Sequence, residues 1–273
     1  MAKRKAVKKK SSRNLIITLL KIIWFVIKIP YHIVRGIYLL TKKTSEKIEV
    51  MRSNKKRESI KPEYSEFELI KSLNGNYKKW EDNLFKAESK IGIIIGARGS
   101  GKTAFGVKLL ENIYAKSQKR CYAIGFHKEN FPSWINVVED ISEIKNNSFV
   151  LVDEGGIFFS SRESMSKANK FLSDLILISR HKNLNIIFIT QNSSNLDVNI
   201  LRQADYLVLK PSSLLQKEFE RKIIQKIYDD SAEDFNKLKS TKGLTFIYSS
   251  EFKGFISNKL PSFWGIGISK AFK

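Results

Sequence analysis

The stretch KIGIIIGARGSGKTAFGVKLLENIYAK, residues 90–116, decides how the rest of the chain is read. Ile91–Ile95 is a short continuous apolar run, the pattern of a strand buried on both faces. GARGSGKT, residues 96–103, follows at once and meets G-x-x-x-x-G-K-[ST] at every fixed position. Beyond it Phe105, Val107, Leu109, Leu110, Ile113 and Tyr114 recur at helical spacing. Strand, glycine-rich turn and helix thus come in the order a phosphate-binding loop requires. Gly96, Gly99 and Gly101 permit backbone angles that turn successive N–H groups inward, and the helix N-terminus adds positive potential there. The loop works through its main chain, so Ala97, Arg98 and Ser100 count by their amides, with the Arg98 side chain directed outward. Lys102 is expected to reach the β- and γ-phosphates of ATP, and the Thr103 hydroxyl to ligate Mg²⁺.

A phosphate loop needs a second strand to hold the metal shell. Phe149-Val-Leu-Val-Asp-Glu, residues 149–154, is four apolar residues ending in two carboxylates. In a buried parallel strand Asp153 falls at the carboxyl end, where the phosphate loop also lies. Asp153 is expected to hold Mg²⁺ through water, and Glu154 to polarise the attacking water. The reading set against this is a pair of surface acids closing a strand. Leu184-Asn-Ile-Ile-Phe-Ile-Thr-Gln, residues 184–191, is a third strand whose Gln191 can hydrogen-bond the γ-phosphate and the water. Tyr206–Leu209 and Tyr122–Gly125 supply two more strands. Alternation of strand and helix predicts an α/β fold with a mostly parallel central sheet flanked by helices.

The run VLVDEGG followed by ISRHKNLNIIFITQNSSNLDVNILRQADYLVLK resembles the HerA/FtsK superfamily of P-loop ATPases, above all its zonular-occludens-toxin-like, viral packaging and archaeal plasmid branches. The similarity spans roughly residues 91–264. It implies a P-loop NTPase of the additional-strand type, with an extra strand between the P-loop strand and the Asp-Glu strand and Glu154 as catalytic glutamate. It also implies an ATP-hydrolysing homo-hexameric ring that pumps double-stranded DNA or exports a nucleoprotein. Residues 243–264, GLTFIYSSEFKGFISNKLPSFW, look like that family's terminal strands closing on Leu-Pro-x-Phe. Rings of this family complete each site with a neighbour's arginine, and Arg180 and Arg202 are the candidates. Each is also readable as a capping or solvated arginine. Arg162, Lys167 and Lys170 would line a channel facing DNA phosphates, or be plain solvated surface.

Charge divides the chain. The net charge is +22, and residues 1–61 hold 18 basic and 3 acidic side chains. The front end therefore favours a polyanionic partner, a membrane surface or nucleic acid. Lys21, Lys28, Arg35 and Lys42 recur every seven residues, which places them on one side of a helix. Ile, Leu, Trp24 and Phe25 take the other side, and Pro30 should kink the helix. Residues 1–41 are thus expected to be a basic tail with an amphipathic or membrane-embedded helix, attached to an anionic membrane on its cytoplasmic side. A helix packed against protein is the other reading. A charged linker over 42–63, an ATPase domain over 64–264 and a short tail over 265–273 complete the division. A single cysteine, Cys121, and three histidines exclude a disulfide framework and the usual zinc modules. The competing functions are a membrane assembly ATPase that does not grip DNA and a nucleotide-gated scaffold.

Overall fold

The computed structural model describes residues 51–155 and 165–269, together with isolated positions between Trp24 and Ile48. By their contacts, residues 1–55 and 56–273 form two separate units. In the first, the described positions are helical, with Trp24, Tyr38, Leu39 and Ile48 exposed. Among the described residues no helix is long and apolar enough to cross a membrane. Lys21, Lys28 and Pro30, on which the membrane-helix expectation rests, lie outside the described residues.

The second unit is built on one nine-stranded sheet in the order β1-β9-β8-β7-β2-β6-β5-β3-β4. Its strands are β1 (Glu68–Gly75), β2 (Ile91–Ile95), β3 (Arg120–Ile124), β4 (Ile135–Val137), β5 (Ser148–Asp153), β6 (Leu184–Thr190), β7 (Tyr206–Leu209), β8 (Thr245–Ser249) and β9 (Phe252–Ser257). The six strands from β7 to β4 run parallel, while β8, β9 and β1 extend the sheet antiparallel beyond β7. Every residue of β2, β5 and β6 is buried, as strands covered on both faces require. The family resemblance implies a strand inserted between the P-loop strand and the Asp-Glu strand, and β6 occupies that place.

Helices cover both faces. On one lie α1 (Tyr77–Lys86) and α2 (Lys102–Ser117), whose Trp80, Leu84, Phe105, Leu109 and Ile113 share a core with Ile94, Leu151 and Ile187. On the other, α3 (Met165–Lys182) and α6 (Lys222–Lys237) contribute Leu172, Leu175, Ile224 and Ile227 to a core with Ile93, Ile95 and Val152. Gly106 lets α2 lie close against the sheet, since a Cβ there would stand 2.7 Å from Leu151 Cδ1 and 3.3 Å from Ile94 and Ile189.

The compact unit begins earlier than the expected boundary at residue 64. Arg57 is buried and donates from Nε to the Phe131 carbonyl at 2.7 Å, and Trp134 donates to the Ile60 carbonyl at 3.1 Å. On the outer side of α2, the buried Lys108–Glu111 pair (2.8 Å) takes the backbone of Glu63 and Ser262 as further partners. A buried ion pair is tolerated only where its remaining hydrogen-bonding groups are satisfied, and these two chain segments satisfy them. The stretch read as a linker therefore docks by its second half. The tail docks as well: Ile266–Ser269 is helical and Ile268 is buried.

Gly106→Val should overpack this contact and lower the unfolding free energy by about 1–3 kcal/mol. Urea denaturation followed by circular dichroism reads the change; an unaltered midpoint would show that α2 does not lie this close to the sheet.

Candidate nucleotide site

Strand register assembles the site. Ile95, the last residue of β2, lies level with Thr190 of β6 on one side and Leu209 of β7 on the other. Asp153, ending β5, is level with Ile189. The chain leaves these four strands at one edge, so the phosphate loop, Glu154, Gln191 and Lys210 emerge side by side.

The loop has the geometry its glycines anticipate. Gly101 caps α2 with a φ of +89°, a left-handed angle that a side chain would strain. Gly96 is needed for space, because a Cβ there would come within 2.5 Å of Lys210 Cβ. Ala97 N–H donates to the Pro211 carbonyl at 3.1 Å, and Ser100 N–H to the Ala97 carbonyl at 3.1 Å. Arg98 is exposed, as expected. Lys102 is buried and folds back across the loop, donating from Nζ to the carbonyls of Gly96 (2.7 Å) and Ala97 (2.9 Å). Burial pushes its ammonium down to about 8, opposed first by Asp153 and then by Glu220. Thr103 follows in the first turn of α2, half-buried.

Asp153 and Glu154 are buried, which removes the reading of two surface acids. The Asp153 carboxylate accepts the Gly155 N–H at 3.0 Å. Burial is also the main force on Glu154, raising its carboxyl to about 7; the Thr190 side chain acts against this and the Asp153 charge with it. Two buried side-chain atoms here, Ser100 Oγ and Glu154 Oε1, have no hydrogen-bond partner among the described residues. A polar atom buried and unpaired carries a desolvation penalty of roughly 1–3 kcal/mol, so these mark where a polar ligand or water fits. The loop's amides and lysine suit a polyphosphate. The hydroxyl of Thr103 and carboxylate of Asp153 are hard oxygen donors suited to Mg²⁺.

The carboxyl end of β6 stands beside these carboxylates. Thr190 ends the strand, buried next to Glu154, and Gln191 follows it, exposed at the same edge. The Gln191 carbonyl accepts from Gln216 Nε2 at 2.6 Å. Glu220, buried, accepts the Ser193 N–H at 2.7 Å, and Arg221 donates to the carbonyls of Ser193 (3.0 Å) and Leu196 (2.7 Å). The 216–221 segment, which begins within α5 (Leu214–Glu218), thus grips the loop that leaves β6. Sequence reasoning missed Thr190, Lys210 and Glu220: Lys210 reads as a charge just past an apolar strand, and Glu220 is one of several charges in KEFERK, residues 217–222.

The two arginines are not brought to this edge. Arg180 is exposed in the last turn of α3, just before β6 begins, and Arg202 ends α4 (Val198–Arg202), just before β7. Both lie at the opposite end of the strands from the phosphate loop. Of the basic cluster, Lys170 is exposed on α3, and the side chains of Arg162 and Lys167 lie outside the described residues.

The resemblance to zonular-occludens-toxin-like ATPases holds: the model of the family "Zonular occludens toxin (Zot)" matches residues 110–209, from within α2 to the end of β7. No curated protein matches the chain in sequence. Similar solved structures include B204, the DNA-packaging ATPase of Sulfolobus Turreted Icosahedral Virus (15% identity, 63% of this chain and 98% of that one, TM-score 0.45). The genome packaging NTPase B204 of Sulfolobus turreted icosahedral virus 2, in complex with ATP-gammaS, gives 19%, 63%, 98% and 0.44. The pCW3 conjugation coupling protein TcpA gives 11%, 62%, 60% and 0.44. The phosphate loop, the inserted strand and the buried Asp153–Glu154 pair have the arrangement of a P-loop nucleotide site.

A carboxyl that stays protonated to about 7 when folded, against an ordinary 4.5, makes the folded state lose stability as pH rises between those values. Glu154→Gln should therefore be more stable than the unaltered protein at pH 8, by at most about 3 kcal/mol, with little difference at pH 4.5. Urea unfolding at both pH values measures this, and a gap of equal size at the two would contradict it.

Proposed function

We propose that this protein is a motor ATPase: it hydrolyses Mg–ATP to move DNA or a nucleoprotein, works as a homo-hexamer, and is held to the cytoplasmic face of a membrane by residues 1–41. The observation that carries the hydrolytic part is the buried Glu154, one oxygen unpaired, one residue beyond Asp153 at the edge where the phosphate loop opens. A carboxylate so placed accepts a proton from water at Oε1 once ionised, and its raised pKa makes it a competent base near neutral pH. The backbone amides of Gly96–Thr103 take the phosphates, and Lys102 exchanges its carbonyl partners for phosphate oxygens. Thr103 and Asp153 would hold Mg²⁺, which when bound offsets phosphate charge as a Lewis acid.

Movement of a polyanion is supported by the net charge of +22 and by the zonular-occludens-toxin-like resemblance. Assembly into a ring is supported by the position of Arg180 and Arg202. Lying at the far end of the strands, either one can reach a phosphate site only on a neighbouring copy. Membrane attachment rests on the seven-residue recurrence of Lys21, Lys28, Arg35 and Lys42 against an apolar face.

Steady-state ATP turnover of the full chain should rise on addition of duplex DNA, and Lys102→Ala should lower it by about 100-fold or more. Turnover indifferent to DNA would favour an assembly ATPase that does not grip DNA, and turnover indifferent to Lys102→Ala would end the ATPase reading. Flotation with anionic vesicles checks the attachment, since a chain starting at Lys56 should no longer float.

A further inference from the structure

Lys210 stands immediately after β7 with its side chain completely buried, and among the described residues no carboxylate meets it. Its Nζ donates to Thr245 Oγ1 at 2.6 Å, Asn258 Oδ1 at 2.8 Å and the carbonyls of Gly243 (3.1 Å) and Leu244 (3.3 Å). All four are neutral. A buried ammonium is ordinarily paired with an anion, because hydrogen bonds to neutral oxygens recover only part of its lost hydration. Burial pushes this amine down to about 7, and no charged neighbour among the described residues acts on it.

The surroundings show what that charge faces. The Lys210 N–H donates to the Ile95 carbonyl at 2.8 Å, so the residue begins beside the strand that feeds the phosphate loop. The opening glycine of the loop, Gly96, rests on Lys210 Cβ, and the closing glycine, Gly101, lies with its Cβ position 4.0 Å from Nζ. Nζ stands 5.4 Å from the centre of the Phe105 ring in the first turn of α2. From α6, the Tyr228 hydroxyl donates to the Lys210 carbonyl at 2.9 Å. The side chain therefore runs directly behind the loop from its first glycine to its last, beside the N-terminus of α2. That end of a helix disfavours a cation unless an anion is also present. On the loop itself, Lys102 is buried and Arg98 is an exposed cation.

We propose that Lys210 is a positioning residue of the nucleotide site: it braces the phosphate loop from behind, ties it to the ends of β8 and β9, and has its charge completed by the polyphosphate in the loop. The inference rests on the loop taking a nucleoside triphosphate. The protein's own contacts satisfy the amine's hydrogens and leave its charge open, and the phosphates lie just across the loop's amides. Binding then draws a proton onto Lys210 wherever the free amine is neutral. Each unit by which the phosphates raise this amine corresponds to a factor of ten in affinity lost as pH rises.

The test is equilibrium binding of a non-hydrolysable ATP analogue to the full chain at pH 6.5 and 8.5. Lys210→Gln keeps hydrogen-bond donors in place without the charge. It should bind about tenfold or more weakly at pH 6.5, and the deficit should shrink at pH 8.5, where the unaltered protein must first take up a proton. Asn258→Asp is the second variant, used also if the glutamine protein does not fold. It keeps the bond to Nζ but supplies a counter-charge, so affinity should fall and this part of its pH dependence should flatten. Lys102→Ala should abolish binding at both pH values. Equal deficits at the two pH values, or unaltered affinity in both variants while Lys102→Ala still fails to bind, would overturn the role given to Lys210. Unaltered affinity in Lys102→Ala would instead remove the nucleotide reading, and this inference with it.

Discussion

The level at which the central strands end governs everything above them. Because Ile95 is paired with Thr190 and Leu209, and Asp153 with Ile189, one backbone register places a glycine loop, two carboxylates and two lysines at a single edge. Side chains alternate faces along a strand, so a slip of one residue would turn Asp153 into the opposite core and its neighbours out of the site. The fully buried runs of β2, β5 and β6 hold that register, since no one-residue slip keeps both cores filled.

Charge buried at this edge sets the energetics of the site. Lys102, Asp153, Glu154 and Lys210 are all withdrawn from water. Lys102 is pushed down to about 8 and Lys210 to about 7, while Glu154 is pushed up to about 7, each chiefly by burial. Such a site is costly to fold and responsive to an anion. A polyphosphate would return to the lysines what burial withdrew, and would set the affinity of the loop against the stability of the fold. Sites tuned by desolvation in this way are where acid–base chemistry concentrates.

Much of this was legible in the sequence because the informative residues are local. Ile91–Ile95 and Tyr206–Leu209 are strands over those same residues, and GARGSGKT forms the loop its spacing demands. The place of β6 between β2 and β5 followed from the family resemblance, since the local pattern of a strand carries no information on its neighbours. β1 was not legible: ELIKSLNG lies at the sheet's edge, mostly exposed, and lacks the apolar run that marks a buried strand. The docking of Glu63 depends on a buried ion pair facing outward from α2, which sequence cannot distinguish from two solvated charges. Lys210 was hidden for the same reason. A lysine closing an apolar strand reads as the start of a loop, and only the fold shows that the antiparallel extension covers it.

The central claim is that a buried acid at the end of β5 hydrolyses a nucleotide held by the neighbouring loop. Single-turnover hydrolysis by Glu154→Gln, measured alongside its affinity for ATP, tests it most directly. The account predicts a protein that binds ATP at least as tightly as the unaltered one and leaves it essentially uncleaved. Cleavage at the unaltered rate would contradict it.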